Sequence, residues 1–341
     1  MNHIFCTFSD FESIKEFIRA KPDDDDPLNE EMDVWRHCYR FFAENSAFQF
    51  NEEDPRSINI NYQEYPLLRT LMNRYWQGDD SIRIKEQDLN EINPNDFVSY
   101  NSQQKFFVGN TSRLLKVKED NTGCIIKKTS DFIKQWGMLK EEHPLFISKK
   151  QGKSKRLTSW EQVSNYTLPL NAVVICDNYI CSHYWSVENN LFKLLSTILI
   201  KKELEVPIDI LIITKSLYKE NGSLKETSLK CVHDRLSREI KNIIGNDFFN
   251  LTMVKTELPG THDRYIFTNY YVLNSGNGFS YFSKDDKIIA PSFTEFKVTP
   301  RTISKQQSDI FIDMLEQLKE IVLAAEKSNI IGTCKNRLLD F

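Results

Sequence analysis

Between Thr261 and Asn269 the chain reads Thr-His-Asp-Arg-Tyr-Ile-Phe-Thr-Asn, and a short apolar run later comes Ser275-Gly276-Asn277-Gly278-Phe279. An imidazole, a guanidinium and a side-chain amide thus lie along one extended segment, followed by a glycine-rich turn. The grouping suits a phosphodiester. Side chains alternate along a strand, so His262, Arg264 and Ile266 share one face while Asp263 and Tyr265 point to the other.

The elements that must hold this segment are legible around it. Leu170 to Cys176 is a short, continuously apolar run ending in Asp177-Asn178-Tyr179, and Ile208 to Thr214 is a second of the same kind. Such runs indicate strands buried on both faces. Leu251 to Thr256 and Tyr265 to Leu273 give a third and a fourth. Helical spacing predicts helices over Glu188 to Ile200, Ser228 to Ile244 and Gln307 to Glu326. Strands alternating with helices imply an α/β fold, a mainly parallel sheet covered by helices on both faces. In open sheets of this kind ligands collect at the strand ends, where His183 and Tyr184 would line the mouth, with Asp177 as a further cleft candidate. The last helix is expected to pack on the sheet or on a second copy of the chain. The aromatic residues of Ser280 to Ser283 and Phe293 to Phe296 read as core.

The first hundred residues differ in texture. They hold 10 Lys/Arg against 21 Asp/Glu, whereas the rest of the chain holds 34 against 27. Helical spacing over Phe11 to Ala20, Glu31 to Ala43 and Tyr65 to Trp76 predicts an acidic, mostly helical region over residues 1–105. A connecting region follows over 106–164, with a basic loop, Lys149 to Arg156, able to contact a nucleic-acid backbone. The α/β domain then occupies 165–341. Asp23 to Asp26, flanked by prolines, reads as an exposed loop.

No apolar run approaches the roughly 20 residues of a membrane-spanning helix, and the start lacks signal-peptide features. Seven scattered cysteines read as reduced thiols. A cytoplasmic protein without a metal or other cofactor is expected. Cys176 and Cys181 are the one close pair, with no matching pair downstream.

The order His262-x-Arg264-x4-Asn269-x6-Gly276 resembles the signature of the phospholipase D superfamily, His-x-Lys-x4-Asp followed by a Gly-Ser turn. Arg264 stands where that signature has Lys, Asn269 where it has Asp, and Asn277 where it has Ser. The resemblance covers roughly residues 165 to 290 and implies a phospholipase D-like fold. It implies His262 as nucleophile through a phosphohistidine, Arg264 as phosphate clamp, and Asn269 as the third catalytic position. Ser275, Gly276 and Asn277 would complete the phosphate site, with Thr268 beside the cleft. No metal is required. Only one copy of the motif exists, so turnover implies a homodimer presenting two His262 rings. His233-Asp234-Arg235 repeats the tripeptide but sits in a helical pattern with Ile240 at the position of Asn269, and reads as a solvated helix face.

Two functions follow. One is a phosphodiesterase or nuclease acting on nucleic acid, with a prokaryotic defence or mobile-element system as its expected setting. The other is a catalytically silent binding or scaffold module, with a protein partner in a larger complex.

Overall fold

The computed structural model describes residues 2–6, 11, 37–38, 46–52, 66–86, 104–109, 122–147, 157–166, 169–199, 206–219, 225–258, 264–285, 287–289 and 294–340. The chain divides into two units, 1–141 with 302–307, and 142–301 with 308–341. His262, the basic loop and Asp23 to Asp26 lie outside the described residues.

Among the described residues the first unit holds a five-stranded sheet that helical spacing over residues 1–105 did not foresee; the helix expected over Tyr65 to Trp76 is present, while those expected over Phe11 to Ala20 and Glu31 to Ala43 lie almost wholly outside the described residues. The sheet contains β1 (Asn2–Cys6), β2 (Ser46–Glu52), β3 (Ile82–Glu86), β4 (Lys105–Val108) and β5 (Ile125–Lys127), in the order β3-β2-β1-β4-β5, all parallel. Two helices are described in full, α1 (Pro66–Trp76) and α2 (Thr129–Leu139). The strands are too short to show a strong period. β2 does alternate, with Phe48 and Phe50 stacked at 5.7 Å and Phe11 meeting both edge-on. Phe106 of β4 packs on Phe132 and Trp136 of α2. Trp136 donates its indole N–H to Nδ1 of His37, so the ring's proton sits on Nε2, which donates to the Ile303 carbonyl at 2.7 Å. The described residues of the expected connecting region at 106–164 fall into both units. β4, β5 and α2 belong to this unit, while the next strand, β6 (His143–Ile147), belongs to the other.

The second unit holds β6, β7 (Ala172–Cys176), β8 (Ile208–Thr214), β9 (Phe249–Lys255), β10 (Arg264–Phe267), β11 (Tyr271–Ser275), β12 (Thr294–Pro300) and β13 (Ile330–Gly332). Their order is β13-β9-β8-β7-β10-β11-β12-β6. The α/β class holds, but parallel pairing is confined to β7-β8-β9, and every other neighbour is antiparallel. One cause is that the segment read as a single strand over Tyr265 to Leu273 is a hairpin, β10 and β11 joined through Thr268-Asn269-Tyr270.

Helices cover this sheet. α3 (Tyr184–Ser186) runs through a π-helical turn, Val187–Phe192, into α4 (Lys193–Ile198). α5 (Leu229–Ile244) starts where Ser228 accepts a hydrogen bond from the Cys231 N–H and ends at Gly245. α6 (Lys305–Ala324) puts Phe311, Leu315, Leu318 and Val322 into the core with Val174, Leu211 and Phe267, so it packs on the sheet. Ile310 points away and is exposed. Trp160 gathers Phe279, Tyr281, Phe282 and Phe296, the expected core role for those aromatics. No helix among the described residues is long and apolar enough to cross a membrane.

Asn269 holds the hairpin turn. Its Oδ1 accepts from the N–H groups of Asn171 and Ala172 at 2.9 and 3.2 Å, and its Nδ2 donates to Asn171 Oδ1 at 2.8 Å. Fully buried Arg301 donates to the carbonyls of Thr268 and Asn269, and burial pulls its pKa down to about 10. Asn269→Ala leaves buried donors unpaired, at about 1–3 kcal/mol for each orphaned group. The variant is expected to unfold at clearly lower urea concentration than the wild type, measured by circular dichroism.

Candidate functional site

Register fixes which residues meet. Tyr265 pairs with Cys176 and Arg264 with Ser275, so Arg264 opens β10 at the edge where β7 and β8 end and β11 closes. Asn269 and Thr268 lie at the opposite edge, beside the start of β7. Thr268 is buried there, bonded to the Tyr271 carbonyl. The structure therefore separates Asn269 and Thr268 from Arg264 by the length of the strand, and both serve the turn.

At the Arg264 edge the central group is the Asp177 carboxylate, 1% exposed. Oδ1 accepts from the Tyr179 N–H at 2.8 Å, and Oδ2 from the Phe279 N–H at 2.8 Å. Arg264 Nε lies 3.9 Å from Oδ1. Burial pushes the carboxyl pKa up, while these amide donors and the guanidinium pull it down. Asn178, which the sequence did not flag, ties the same corner to its neighbours. Its carbonyl accepts from the N–H groups of Lys215 and Ser216, and its Oδ1 from that of Leu258.

The glycine turn closes over Asp177, but through a different glycine from the one the motif spacing selects. Gly276 is exposed, with nothing near the place a Cβ would occupy. Gly278 has φ +81°, and a Cβ there would sit 2.8 Å from Asp177 Oδ2. Ser275 is buried, its hydroxyl donating to the Gly278 carbonyl at 2.6 Å and meeting the Tyr281 hydroxyl. Its oxygen is thus used to shape the turn and is not offered to a phosphate. Asn277 is exposed at the tip, its N–H donating to Ser275 Oγ. The segment after the turn is held by the π-helical stretch: Asn190 exchanges two hydrogen bonds with Phe282, and Asn189 donates to the Ser283 carbonyl.

Arg264 is the cationic side chain beside this corner. Its side chain is 12% exposed. Among the described residues no acceptor lies within hydrogen-bond distance of its guanidinium; Asp177 is an ion-pair partner only. The Asp177 carboxyl already accepts two backbone N–H groups beside the guanidinium. As alternation predicts, Arg264 and Ile266 face one way, while Tyr265 packs with the core under α6. His183 is exposed one short turn beyond Asp177, its Nδ1 2.9 Å from Ser182 Oγ and its ring stacked on Trp185 at 5.3 Å. Cys176 and Cys181 are buried, and burial raises both thiol pKa values, that of Cys181 to about 12, so neither is a ready metal ligand.

The repeated tripeptide is structural. His233 is half-buried with Nε2 3.3 Å from the Leu251 carbonyl, and Arg235 pairs with Glu188 and covers the Tyr184 ring at 4.2 Å. That corrects the reading of a solvated face.

No family model matches the chain, and a search among curated proteins finds no match either.

Gly278→Ala forces a side chain into the left-handed region and against Asp177. It is expected to cost about 1 kcal/mol for backbone conformation plus the displacement of the carboxylate. Gly276→Ala meets no atoms, so it should leave the urea midpoint within about 0.5 kcal/mol of the wild type.

Proposed function

We propose that the chain is a phospholipase D-like phosphodiesterase acting on nucleic acid, with His262 as nucleophile and Arg264 as phosphate clamp. One observation carries the reading: a largely enclosed guanidinium, with no hydrogen-bond acceptor among the described residues, opening a strand at the edge where two parallel strands end. A phosphodiester offers that guanidinium two non-bridging oxygens. His262 precedes it by two residues.

In this reaction an imidazole nitrogen of His262 attacks phosphorus, forming an N–P bond as the P–O bond to the leaving alkoxide breaks. The alkoxide takes a proton from His262 of a second copy of the chain. That ring, now neutral, removes a proton from water, whose oxygen displaces the phosphohistidine and restores both rings. Arg264 balances the charge that builds on the phosphoryl oxygens, a task that needs no metal. Asp177 fixes the corner on which Arg264 stands and is a positioning residue.

The silent binding module is the second reading, favoured by the commitment of Ser275 and Asn269 to backbone partners. Incubation with single- and double-stranded DNA and RNA in EDTA separates the two. Cleavage is expected, reduced at least about a hundredfold in His262→Ala and by about 10²–10³ in Arg264→Ala. Folded protein that cleaves nothing rules out the phosphodiesterase. If it still binds, and Arg264→Ala abolishes the binding, the silent module stands.

A further inference from the structure

An exposed aromatic ring stands beside the clamp. Tyr179 is 48% exposed, two residues beyond Asp177, and its ring centroid lies 5.8 Å from the Arg264 guanidinium carbon. Its backbone is fixed at both ends: the N–H donates to Asp177 Oδ1, and the carbonyl accepts from the N–H and the hydroxyl of Ser182 at 2.9 and 2.7 Å. A large ring held in water on a rigid turn gives up burial that a core position would provide.

The neighbouring rings on this segment are more closely engaged, at 4.2 Å for Arg235 over Tyr184 against 5.8 Å for Arg264 over Tyr179. Tyr184 is also exposed, but Arg235 covers its ring and bonds its hydroxyl, and His183 and Trp185 stack on each other. Lys215 stands close to Tyr179 and adds a second cation, in an exposed pair with Glu257. The edge therefore combines an enclosed guanidinium for a phosphate with an adjacent exposed ring.

We infer that Tyr179 is a stacking platform for the base next to the phosphate held by Arg264, and that the substrate is single-stranded nucleic acid. The inference rests on the phosphate-clamp reading above. A base presents its π-face to a side chain when it is unstacked, as in a single strand, whereas in a duplex both faces are covered by neighbouring bases. A phospholipid headgroup or free phosphate offers no such face. Ring stacking is tolerant of base identity, so little sequence preference is expected.

The test uses the full chain carrying His262→Ala, which prevents cleavage. Binding is measured by fluorescence anisotropy with a labelled single strand, a duplex of the same length and a single strand carrying abasic sites. The single strand is expected to bind more tightly than either alternative. Adding Tyr179→Ala should weaken single-strand binding about ten- to a hundredfold and leave the abasic strand unchanged, while Tyr179→Phe retains affinity. The ring is exposed, so thermal unfolding of both variants should match the parent. Equal binding of single strand and duplex, or a Tyr179→Ala variant that binds the single strand as the parent does, overturns the inference. If Arg264→Ala nevertheless abolishes binding, the clamp survives without the platform. Absence of binding to every oligonucleotide overturns both.

Discussion

The Asp177 carboxylate is the interaction on which the candidate site depends. It ends β7, accepts the backbone N–H groups of Tyr179 and Phe279, and lies beside the Arg264 guanidinium. One buried group thus joins three pieces of chain distant in sequence: the loop after β7, the turn after β11 and the first residue of β10. Burying an ionised carboxylate is costly unless donors surround it. That requirement accounts for Gly278, since any side chain there would occupy the space through which Oδ2 reaches the Phe279 N–H.

The β10-β11 hairpin is consequently anchored at both ends by different means. Asn269 and Arg301 satisfy the buried turn, while Asp177 and the Ser275-Gly278 contact organise the other edge. This division explains how the eight-residue signature from His262 to Asn269 can hold residues with unrelated tasks. Asn269 bonds Asn171 and Ala172 at the start of β7, so an amide fits this position because Asn171 supplies a matching amide oxygen. Arg264 keeps its hydrogen-bonding capacity for something beyond the described residues.

Where burial sets the pattern, the sequence was legible. β7 and β8 are continuously apolar because both their faces are covered, and α5 shows its boundaries in Ser228 and Gly245. The hairpin was not legible, because Thr268-Asn269-Tyr270 contains neither glycine nor proline and its polar groups are satisfied by Asn171 and Arg301, far away in sequence. Gly276 was selected by spacing from the motif, whereas the positive φ that requires glycine falls at Gly278. Asn178 carried no signal beyond its place next to Asp177. In the first unit, β1 and β4 are four or five residues long, too short for a period to emerge beside strongly amphipathic helical stretches. Alternation along the strand was legible, whereas the edge at which Arg264 stands was not, because it follows from the antiparallel pairing of β10 with β7.

Arg264 has no hydrogen-bond acceptor among the described residues, and if it clamps an anion as proposed, its own N–H reports this most directly. In a ¹⁵N-labelled sample, the Arg264 Nε–H resonance, assigned by its absence from Arg264→Lys, should shift saturably on titration with tungstate, a phosphate analogue. Arg235 and Arg301, held by carboxylate and carbonyl partners, should not follow. An Arg264 resonance that stays in place while the protein remains folded contradicts the account.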